Sequence, residues 1–514
     1  MENNNINKQE KIEVIPFVPR RKYRNDALNT DFYEFTMANA MFRLGMKDVQ
    51  LVFDCFFRKN PRLPDGTESG YSISAGQEQL TDFLLNYHFD EVACQYLLHK
   101  GMDPEFVEYL STYKWKGTMY AMPEGTVCYP NTQMVRIKCD AIGAILIETY
   151  LLQTMNFNSM ITTKSTHIVR VAKGKGVMEF GGRRAQGGDA SIQGARAAVL
   201  GGCVGTANCL AEVNYGEPVN AVGTVAHAWI ELFPSEFEAF KAFADIYPEK
   251  VSLLIDTYHT EKSGIINTIK LDNYLIEKYP DDPNKRVKSV RIDSGDLAYL
   301  SKRARKAFDD AGKPYINIVV SNGLDEETIE SLITKQEAPI NSLGVGEKLI
   351  TSASSPVFGG VYKLVAVETE NGYEAKMKCS DTMQKAIIPG YKMLYRLYDE
   401  NGMGYLDLIA MEDEVIEVGK PIKVYTTDNN ATRKEFTITP KTIRPLLVPY
   451  IVDGELVRQM PTVAEIRDYI KYQLENTVYE EELRDEFPHK HYVDMTEKVY
   501  NLRKEMYEKL HGED

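Results

Sequence analysis

Three successive segments decide the fold, namely VKSVRIDSGD (Val287–Asp296), INIVVSNG (Ile316–Gly323) and INSLGVGE (Ile340–Glu347). Each is a short β-branched run that ends in small or polar residues and is followed by a helical pattern. Four earlier segments resemble them: MITTKS, VMEFGGRR, VNAVGTVAH and VSLLIDTYHT. The spacing suits a strand, a loop and a crossover helix in each unit. We therefore predict an α/β protein with an irregular parallel α/β barrel; an open doubly wound sheet is the alternative, and about seven similar units favour closure.

The sequence patterns on either side of the barrel predict α+β structure. Asn29–Gly45 has a polar start, apolar residues at helical intervals and a glycine stop, whereas Leu51–Pro61 is aromatic and typical of a strand. A hydrophilic helical region is predicted over Tyr479–Leu510. We divide the chain into a mobile N-terminal arm (1–24), an N-terminal α+β domain (25–158), a barrel with the active site (159–385), and a C-terminal α+β region (386–514) that packs with the N-terminal domain.

The charge balance excludes several classes of protein. Sixty Lys and Arg against 74 Asp and Glu give a net charge of −14, and non-specific nucleic-acid binding depends on clustered positive charge. The longest mostly apolar stretch, Ala141–Leu152, contains Glu148 and is shorter than the roughly 20 residues that cross a bilayer. We expect a protein without nucleic-acid or membrane partners and, since Met1–Lys11 has no apolar core, without a secretory signal.

Cysteine and histidine usage predicts neither a disulfide framework nor a metal centre. The seven cysteines are an odd number with no CxxC pair, which is typical of reduced thiols in a cytoplasmic protein. His489 and His491 are close in sequence but have no carboxylate neighbours that would complete a metal site. We therefore predict a cytoplasmic protein without a structural zinc site, and the sequence assigns no residue as a metal ligand.

In a parallel barrel the catalytic residues gather where strands end, so the strand-end clusters form one candidate site. FGGRR, beginning at Phe180, places Arg183 beside glycines, and guanidinium groups bind phosphate or carboxylate as a fork. A surface loop with solvated arginines is the ordinary alternative. GTVAH places His227 just after a strand, although a histidine in an alanine-rich run is more often structural.

RIDSGD is the stronger signal, because two carboxylates flank a Ser-Gly turn at a strand end. Asp293 and Asp296 suit ribose hydroxyls or a hydrated magnesium ion, and Arg291 suits an anionic substrate. The ordinary alternative, for one of the two aspartates, is an Asx turn that caps the next helix. The glycines of SNG and LGVGEK end the next two strands and suggest a phosphate cradle of backbone N–H groups. The residues alone predict a barrel enzyme that acts on a phosphorylated, ribose-like substrate and a second anionic partner.

Seven segments in this order resemble the nicotinate phosphoribosyltransferase family, which has a type II phosphoribosyltransferase fold: NTDFYEFTMANAMF, FFRKNP, EFGGRRAQG, GTVAHAW, RIDSGD, VVSNGLDEE and GVGEKLITS with GGVYKL. The resemblance runs from Asn29 to beyond Leu364. It implies a cytoplasmic enzyme of NAD biosynthesis that condenses nicotinate with phosphoribosyl pyrophosphate to nicotinate mononucleotide and pyrophosphate. It also implies coupled ATP hydrolysis and a requirement for Mg²⁺.

The resemblance assigns roles to individual residues. His227 matches the histidine that ATP phosphorylates, and Thr224 and Arg291 match nicotinate contacts. Phe180 matches an aromatic residue that stacks on the pyridine ring, and Tyr33 matches a tyrosine that caps the ring from the neighbouring subunit of a homodimer. The positions that match ribose and phosphate contacts are Arg183, Asp293, Ser321, Asn322, Gly323, Gly344 and Gly346.

Two positions bear on substrate choice and on phosphate binding. Many relatives have Gly-x-Gly-Thr where this chain has Glu347 after Gly346, and a carboxylate repels phosphate unless it points away or binds magnesium. Lys348 or Thr351 is the candidate to supply the side-chain contact to phosphate instead. Nicotinamide-using relatives have an aspartate where Ala207 follows Gly205-Thr206 here, so we expect nicotinate as the substrate. The alternatives are a quinolinate or nicotinamide phosphoribosyltransferase and a non-catalytic pyridine-nucleotide sensor.

Overall fold

A computed structural model describes residues 23–378, 387–428 and 434–511. Most of the predicted arm, residues 1–22, lies outside the described residues. Its last two residues are held by side-chain contacts: the Tyr23 hydroxyl donates to Asp90 at 2.6 Å, and Arg24 pairs with Asp26 and Asp189 at 3.1 Å.

The first layer is a seven-stranded sheet built from both ends of the chain, as predicted, in the order β13-β12-β1-β5-β3-β19-β20. All of its pairings are antiparallel. Its strands are β1 (Gln50–Phe56), β3 (Thr118–Ala121), β5 (Gln133–Asp140), β12 (Val361–Thr369), β13 (Gly372–Ala375), β19 (Val448–Val452) and β20 (Glu455–Leu456). A separate ribbon pairs β2 (Ser72–Ser74) with β4 (Thr126–Cys128).

The helices of the N-terminal half are α1 (Phe32–Arg43), α2 (Gln77–Leu85), α3 (Glu91–His99), α4 (Pro104–Ser111), α5 (Ala141–Ile145) and α6 (Glu148–Val171). The predictions of a helix within Asn29–Gly45 and of a strand after Leu51 are confirmed by α1 and β1. Helix α6 is 24 residues long, is largely buried and packs against α7 (Gly188–Leu200) of the next layer. It joins the N-terminal half to the parallel sheet.

The second layer is the parallel sheet, in the order β7-β6-β11-β10-β9-β8. Its strands are β6 (Gly176–Glu179), β7 (Gly205–Thr206), β8 (Val251–Leu254), β9 (Val287–Ile292), β10 (Asn317–Ser321) and β11 (Ser342–Val345). The helices between and after them are α7 (Gly188–Leu200), α8 (Cys209–Tyr215), α9 (His227–Glu231), α10 (Glu236–Ile246), α11 (Ile265–Lys278), α12 (Leu297–Asp310), α13 (Glu326–Glu330) and α14 (Glu347–Ile350). Strand β11 pairs with β6, while β7 and β8 form the two edges of the sheet. The predicted irregular parallel α/β barrel is therefore confirmed as a half-barrel, and the expected closure is wrong.

Two of the seven predicted strands are wrong. MITTKS lies inside helix α6, so Lys164 is not at a strand end; its ammonium group forms a buried pair with Glu326 at 2.7 Å. VNAVGTVAH contributes only a parallel bridge between Ala221 and Thr206. The predicted domain boundary at 158/159 also falls within α6, and the domain division stays a prediction.

The C-terminal region forms a third sheet, in the order β17-β16-β21-β15-β14-β18. Its elements are β14 (Lys392–Tyr398), β15 (Gly404–Met411), β16 (Ile422–Thr426), β17 (Glu435–Ile438), β18 (Thr442–Pro445), α15 (Val463–Asn476), α16 (Glu480–Leu483), β21 (Tyr492–Thr496) and α17 (Glu497–His511). The predicted helical region Tyr479–Leu510 is therefore wrong in part, because β21 interrupts it. None of the helices in the described ranges has the length and apolar character needed to cross a membrane.

Candidate functional site

The strand-end clusters meet at one edge of the parallel sheet. Strands β6, β11, β10 and β9 are neighbours and run in the same direction, so their carboxyl ends lie side by side. The loops that follow them are FGGRR, GVGE, SNG and RIDSGD. The sheet therefore brings together four of the segments that the sequence singled out.

Two aspartates from neighbouring strands face each other across the RIDSGD turn. Asp256, after β8, accepts hydrogen bonds from the Asp293 backbone N–H at 2.9 Å and from the Ser294 hydroxyl at 2.6 Å. Asp293 in turn accepts a hydrogen bond from the hydroxyl of Ser321, at the end of β10. The Oδ1 atom of Asp256 is buried and has no hydrogen-bond partner in the described part of the chain, so this pair retains an oxygen able to accept from a ligand.

The other aspartate of the motif has a structural role. Asp296 is the N-cap of α12 and accepts a hydrogen bond from the Tyr299 N–H at 2.9 Å. The ordinary alternative, a helix-capping role, therefore applies to Asp296.

Arg291 projects from the end of β9 into the interior of the site. Its Nη2 donates to the Val225 carbonyl at 3.1 Å, while its buried Nε has no hydrogen-bond partner among the described residues. Burial lowers the pKa of the Arg291 guanidinium, the charges of Asp293 and Asp256 oppose that effect, and Arg183 adds to it. A half-buried guanidinium with an unused donor is suited to binding a carboxylate.

His227 begins helix α9, next to the end of β8. Its Nδ1 lies 3.1 Å from the Thr257 hydroxyl, and the residue is half-buried. This contact fixes the ring and leaves Nε2 on its opposite side. Thr224, in the same loop, makes a 3.3 Å contact from its hydroxyl to the Val225 carbonyl, so the GTVAH loop contacts both Arg291 and the end of β8.

Phe180 packs directly against the backbone of Gly344. A Cβ atom on Gly344 would lie 2.6 Å from the Phe180 ring and 3.2 Å from the Ser321 Cβ, so no larger residue fits without movement. The Phe180 N–H donates to the Val345 carbonyl at 2.7 Å. The half-buried ring is thereby held at the junction of β6 and β11.

The SNG turn has the backbone conformation expected of an anion-binding loop. Asn322 has φ of 85° and Gly323 has φ of 66°, both in the left-handed region, and both residues are exposed. Successive left-handed residues turn backbone N–H groups towards one side. Gly346 precedes α14, next to this turn in the sheet order.

Glu347 pairs with an arginine of the neighbouring loop. Its Oε2 lies 2.9 Å from Nη1 of Arg184, and both side chains are exposed. Lys348 and Thr351, the candidates for a phosphate contact in place of residue 347, have other partners. Lys348 bonds to Asp325, and the Thr351 hydroxyl donates to the Glu347 carbonyl at 2.7 Å.

The structure adds three residues that the sequence reasoning missed. Glu179 is buried at the end of β6, where it accepts hydrogen bonds from the Gly181 N–H and from the Thr206 hydroxyl, the latter at 2.6 Å. Burial raises the pKa of Glu179. Asp256 and Thr257 follow a strand in VSLLIDTYHT, so the strand-end rule could have found both.

Two predicted residues lie apart from this cluster or at its edge. Tyr33 lies on α1 with 47% of its surface exposed, and none of its described interactions joins it to the strand-end residues. Arg183 is exposed in the loop after β6, within electrostatic range of Arg291.

Comparisons with known proteins agree over nearly the whole chain. Three family models match: the nicotinate phosphoribosyltransferase N-terminal domain at residues 28–156, the family core at 176–390 and the C-terminal domain at 391–503. Nicotinate phosphoribosyltransferase from Bacillus subtilis is 34% identical over 478 residues, with 92% of this chain and 94% of the relative covered. The Caenorhabditis elegans enzyme of that name is 31% identical, with 92% of each chain covered.

Solved structures give the same match at the level of the fold. The crystal structure of human nicotinic acid phosphoribosyltransferase superimposes with a TM-score of 0.80 at 25% identity, covering 93% of this chain and 99% of that one. A nicotinate-nucleotide pyrophosphorylase from Pyrococcus furiosus has a TM-score of 0.65 at 24% identity and covers 89% of this chain and 99% of its own.

Proposed function

The chain belongs to the nicotinate phosphoribosyltransferase family, and from this premise we propose how its strand-end residues perform the reaction. The protein is an enzyme of NAD biosynthesis by salvage that joins nicotinate to phosphoribosyl pyrophosphate and releases nicotinate mononucleotide and pyrophosphate. The observation that best supports this site is the half-buried Arg291, with its unused Nε, beside Asp256 and Asp293.

Nicotinate binds between Phe180 and Arg291. The Phe180 ring, held against Gly344, offers a flat face to the pyridine ring, and the guanidinium of Arg291 binds the carboxylate. Thr224 precedes Val225, whose carbonyl Arg291 contacts. The Thr224 hydroxyl contributes a second hydrogen-bond donor to nicotinate. Ala207 offers no acceptor for an amide N–H, so the acid is preferred over nicotinamide.

The phosphoribosyl group binds along the ends of β9, β10 and β11. Asp293 and Ser321 already share a hydrogen bond and meet the ribose hydroxyls. The phosphates lie against backbone N–H groups and one guanidinium, contributed by Asn322, Gly323, Gly344, Gly346 and Arg183. Exposed left-handed backbone at Asn322 and Gly323 supports this position for the phosphates.

Magnesium fits the oxygen atoms of the site as a substrate-bound ion. No group of three or more His, Cys, Asp and Glu side chains in the described ranges is arranged to hold a metal, whereas Asp256 has a buried, unpartnered carboxylate oxygen. Mg²⁺ commonly binds through one or two carboxylates and substrate phosphates. When bound, the ion neutralises pyrophosphate charge, and Asp256 and Asp293 are the residues that hold it.

The protein's chemical task is to position the reactants and stabilise the leaving group. Transfer at the anomeric carbon breaks its bond to pyrophosphate and forms a bond to the pyridine nitrogen, through a state with positive charge on the ribose ring. Phe180 and Arg291 align the nitrogen, and the phosphate loops stabilise departing pyrophosphate. Asp293 stabilises the developing positive charge at the ribose.

ATP acts through His227. Because the Nδ1 side of the ring contacts Thr257, Nε2 accepts the γ-phosphoryl group and ADP leaves; later hydrolysis of the phosphohistidine releases phosphate. The phosphoryl group adds roughly two negative charges near the strand-end site. We expect this charge to reorganise the phosphate loops and to improve substrate binding.

The complete site is formed in a homodimer. Tyr33 is exposed on α1 and away from the strand-end residues of its own chain, which supports a role in capping the pyridine ring of the partner subunit. We place the reaction in the cytoplasm, in keeping with the reduced cysteines that the sequence predicts.

One assay distinguishes this function from its alternatives. Purified protein with nicotinate, phosphoribosyl pyrophosphate and Mg²⁺ is expected to release pyrophosphate, faster with ATP than without it. A quinolinate phosphoribosyltransferase would need quinolinate and release CO₂, and a sensor would release no pyrophosphate. Absence of turnover with nicotinate under all these conditions would refute the proposal.

A further inference from the structure

The strand-end site contains a buried carboxylate that the proposed reaction does not use, that of Glu179. Glu179 is the last residue of β6 and is completely buried. It directly precedes Phe180, the residue proposed to stack on the pyridine ring. Within the described ranges, no lysine, arginine or histidine forms an ion pair with this carboxylate. Burying a charge without a counterion costs stability, and a role in substrate binding would account for that cost.

Neutral donors from two loops hold the carboxylate. The Gly181 N–H donates to its Oε1, and the Thr206 hydroxyl donates to its Oε2 at 2.6 Å. Gly181 belongs to the loop that carries Phe180, whereas Thr206 lies on β7, which pairs with β6. The Ala207 N–H also donates to the Glu179 backbone carbonyl at 2.9 Å. Glu179 therefore fixes the Phe180 loop to the end of β7.

Thr206 extends this connection to the segment that leads into GTVAH. Its N–H donates to the Asn220 carbonyl at 2.9 Å, and its carbonyl accepts from the Val222 N–H at 2.8 Å. Val222 lies two residues before Thr224, the second proposed donor to nicotinate. The Thr206 hydroxyl oxygen also accepts from the Asn208 N–H at 3.1 Å. One threonine thus connects the carboxylate with the backbone that carries Thr224.

Backbone packing confines the Phe180 loop as well. A Cβ atom on Gly181 would lie 2.6 Å from the Gly346 carbonyl oxygen and 2.7 Å from the Ile350 Cβ. The loop backbone therefore lies directly against the segment that follows β11. The contacts of Glu179 act on a loop that already has little room to move.

We propose that Glu179 is a positioning residue for nicotinate, which sets the placement of Phe180 relative to Thr224 through the hydroxyl of Thr206. The inference rests on the proposed function and adds a residue that acts through others, since both carboxylate oxygens accept from the protein itself. Holding the stacking ring and the hydroxyl donor in place before nicotinate arrives favours its binding. Other loops form the phosphoribosyl site, so its affinity should change much less.

Steady-state kinetics of the full chain, with each substrate varied in turn, tests the proposal. Thr206→Val keeps the shape of the side chain but removes the hydroxyl. It is expected to raise the KM for nicotinate at least about tenfold and the KM for phosphoribosyl pyrophosphate less than about threefold. Glu179→Gln keeps an acceptor for the Gly181 N–H but not for the Thr206 hydroxyl, and the same split is expected. Thr206→Ser retains the hydroxyl and should restore the wild-type KM.

A double variant and a matched control show whether the two side chains act together. Glu179→Gln/Thr206→Val is expected to have no higher KM for nicotinate than the single variants, because both remove one shared hydrogen bond. Glu236→Gln is the control. Glu236 is also buried and accepts from neutral side chains, namely Ser263 and, at 2.8 Å, Asn267. Its substitution should leave both KM values at the wild-type level.

The outcomes separate this inference from the proposed function. Wild-type turnover of nicotinate with an unchanged KM for nicotinate in Thr206→Val and Glu179→Gln would overturn the inference and leave the proposed function intact. Equal increases in both KM values, or a Thr206→Ser variant that behaves like Thr206→Val, would show a general structural role and also overturn it. A wild-type protein without turnover would overturn the proposed function and this inference with it.

Discussion

The Nη1 atom of Arg184 lies 2.9 Å from Oε2 of Glu347, and this ion pair joins the loop after β6 to the first residue of α14. The carboxylate that departs from the family pattern therefore engages an arginine of the neighbouring loop. It also neutralises one of the few positive charges beside the phosphate cradle.

Replacing Glu347 with Gln is predicted to improve binding of phosphoribosyl pyrophosphate. The change frees Arg184 and removes a negative charge, and an exposed pair of this kind is worth about 0.2–1 kcal/mol. The KM for phosphoribosyl pyrophosphate should fall by about two- to fivefold in steady-state kinetics. Glu277→Gln, an exposed position on α11, is the matched control. A gain that persists in Arg184→Ala/Glu347→Gln would show that Arg184 is not responsible.

Replacing His227 with Ala is predicted to abolish coupled ATP hydrolysis while leaving some ATP-independent transfer. The ring is the proposed phosphoryl acceptor, whereas Arg291 and Phe180 remain in place. ADP release and pyrophosphate release are measured in parallel. Thr257→Val retains the ring but removes its contact at Nδ1 and should slow phosphorylation only in part. Unchanged stimulation by ATP in His227→Ala would exclude the assigned role.

Gly344→Ala is predicted to displace the Phe180 ring, since the new Cβ would lie 2.6 Å from it. Overpacking of this kind costs about 1–3 kcal/mol, so the free energy of unfolding should fall and the KM for nicotinate should rise. Gly188→Ala is the control, because its Cβ would meet nothing within 4 Å. An unchanged KM for nicotinate would show that Phe180 does not bind the ring.

A buried histidine in the C-terminal region makes stability depend on pH. His491 stacks on Tyr129 at 3.7 Å, its Nδ1 lies 2.9 Å from Glu482, and its Nε2 lies 3.5 Å from Asp407. Burial alone would lower the pKa of His491, but the charges of Asp407 and Glu482 and the hydrogen bond with Glu482 raise it above 6.5.

Because the folded-state pKa of His491 is raised, its contribution is complete below the unfolded pKa and is lost as pH rises through the folded value. The difference in free energy of unfolding between wild type and His491→Asn should therefore be greatest below about pH 6.5 and shrink on raising the pH. Denaturant titrations from pH 5.5 to 9 measure it, and a difference that grows with pH would contradict the assignment.

Much of the site was predictable because parallel strands place their ends together. RIDSGD, SNG and GVGE each follow a β-branched run, and knowing the direction of the strands is enough to bring Asp293, Ser321 and Gly344 to one edge. The contact between Asp256 and Asp293 required the pairing of β8 with β9, which sequence patterns do not specify.

The prediction of a strand at MITTKS is wrong for a physical reason. Its β-branched residues favour a strand in isolation, yet the Thr163 hydroxyl donates to the Ser159 carbonyl at 2.6 Å. The hydroxyl of Thr166, just after the segment, donates in the same way to the Thr163 carbonyl at 2.7 Å. These bonds satisfy the hydroxyl groups of Thr163 and Thr166 inside a buried helix. Tertiary packing of α6 therefore outweighs the local preference.

The central claim is that the half-buried Arg291 selects nicotinate, and the ratio of kcat/KM for nicotinate to kcat/KM for nicotinamide tests it most directly. Wild type should favour nicotinate strongly. Arg291→Gln should lose activity on nicotinate by about 100-fold, since a charged hydrogen bond is worth about 1.5–3 kcal/mol, while activity on nicotinamide changes much less. The activity of Arg291→Lys on nicotinate should fall between those of wild type and Arg291→Gln. A wild-type preference for nicotinamide, or equal losses on both substrates in Arg291→Gln, would contradict the account.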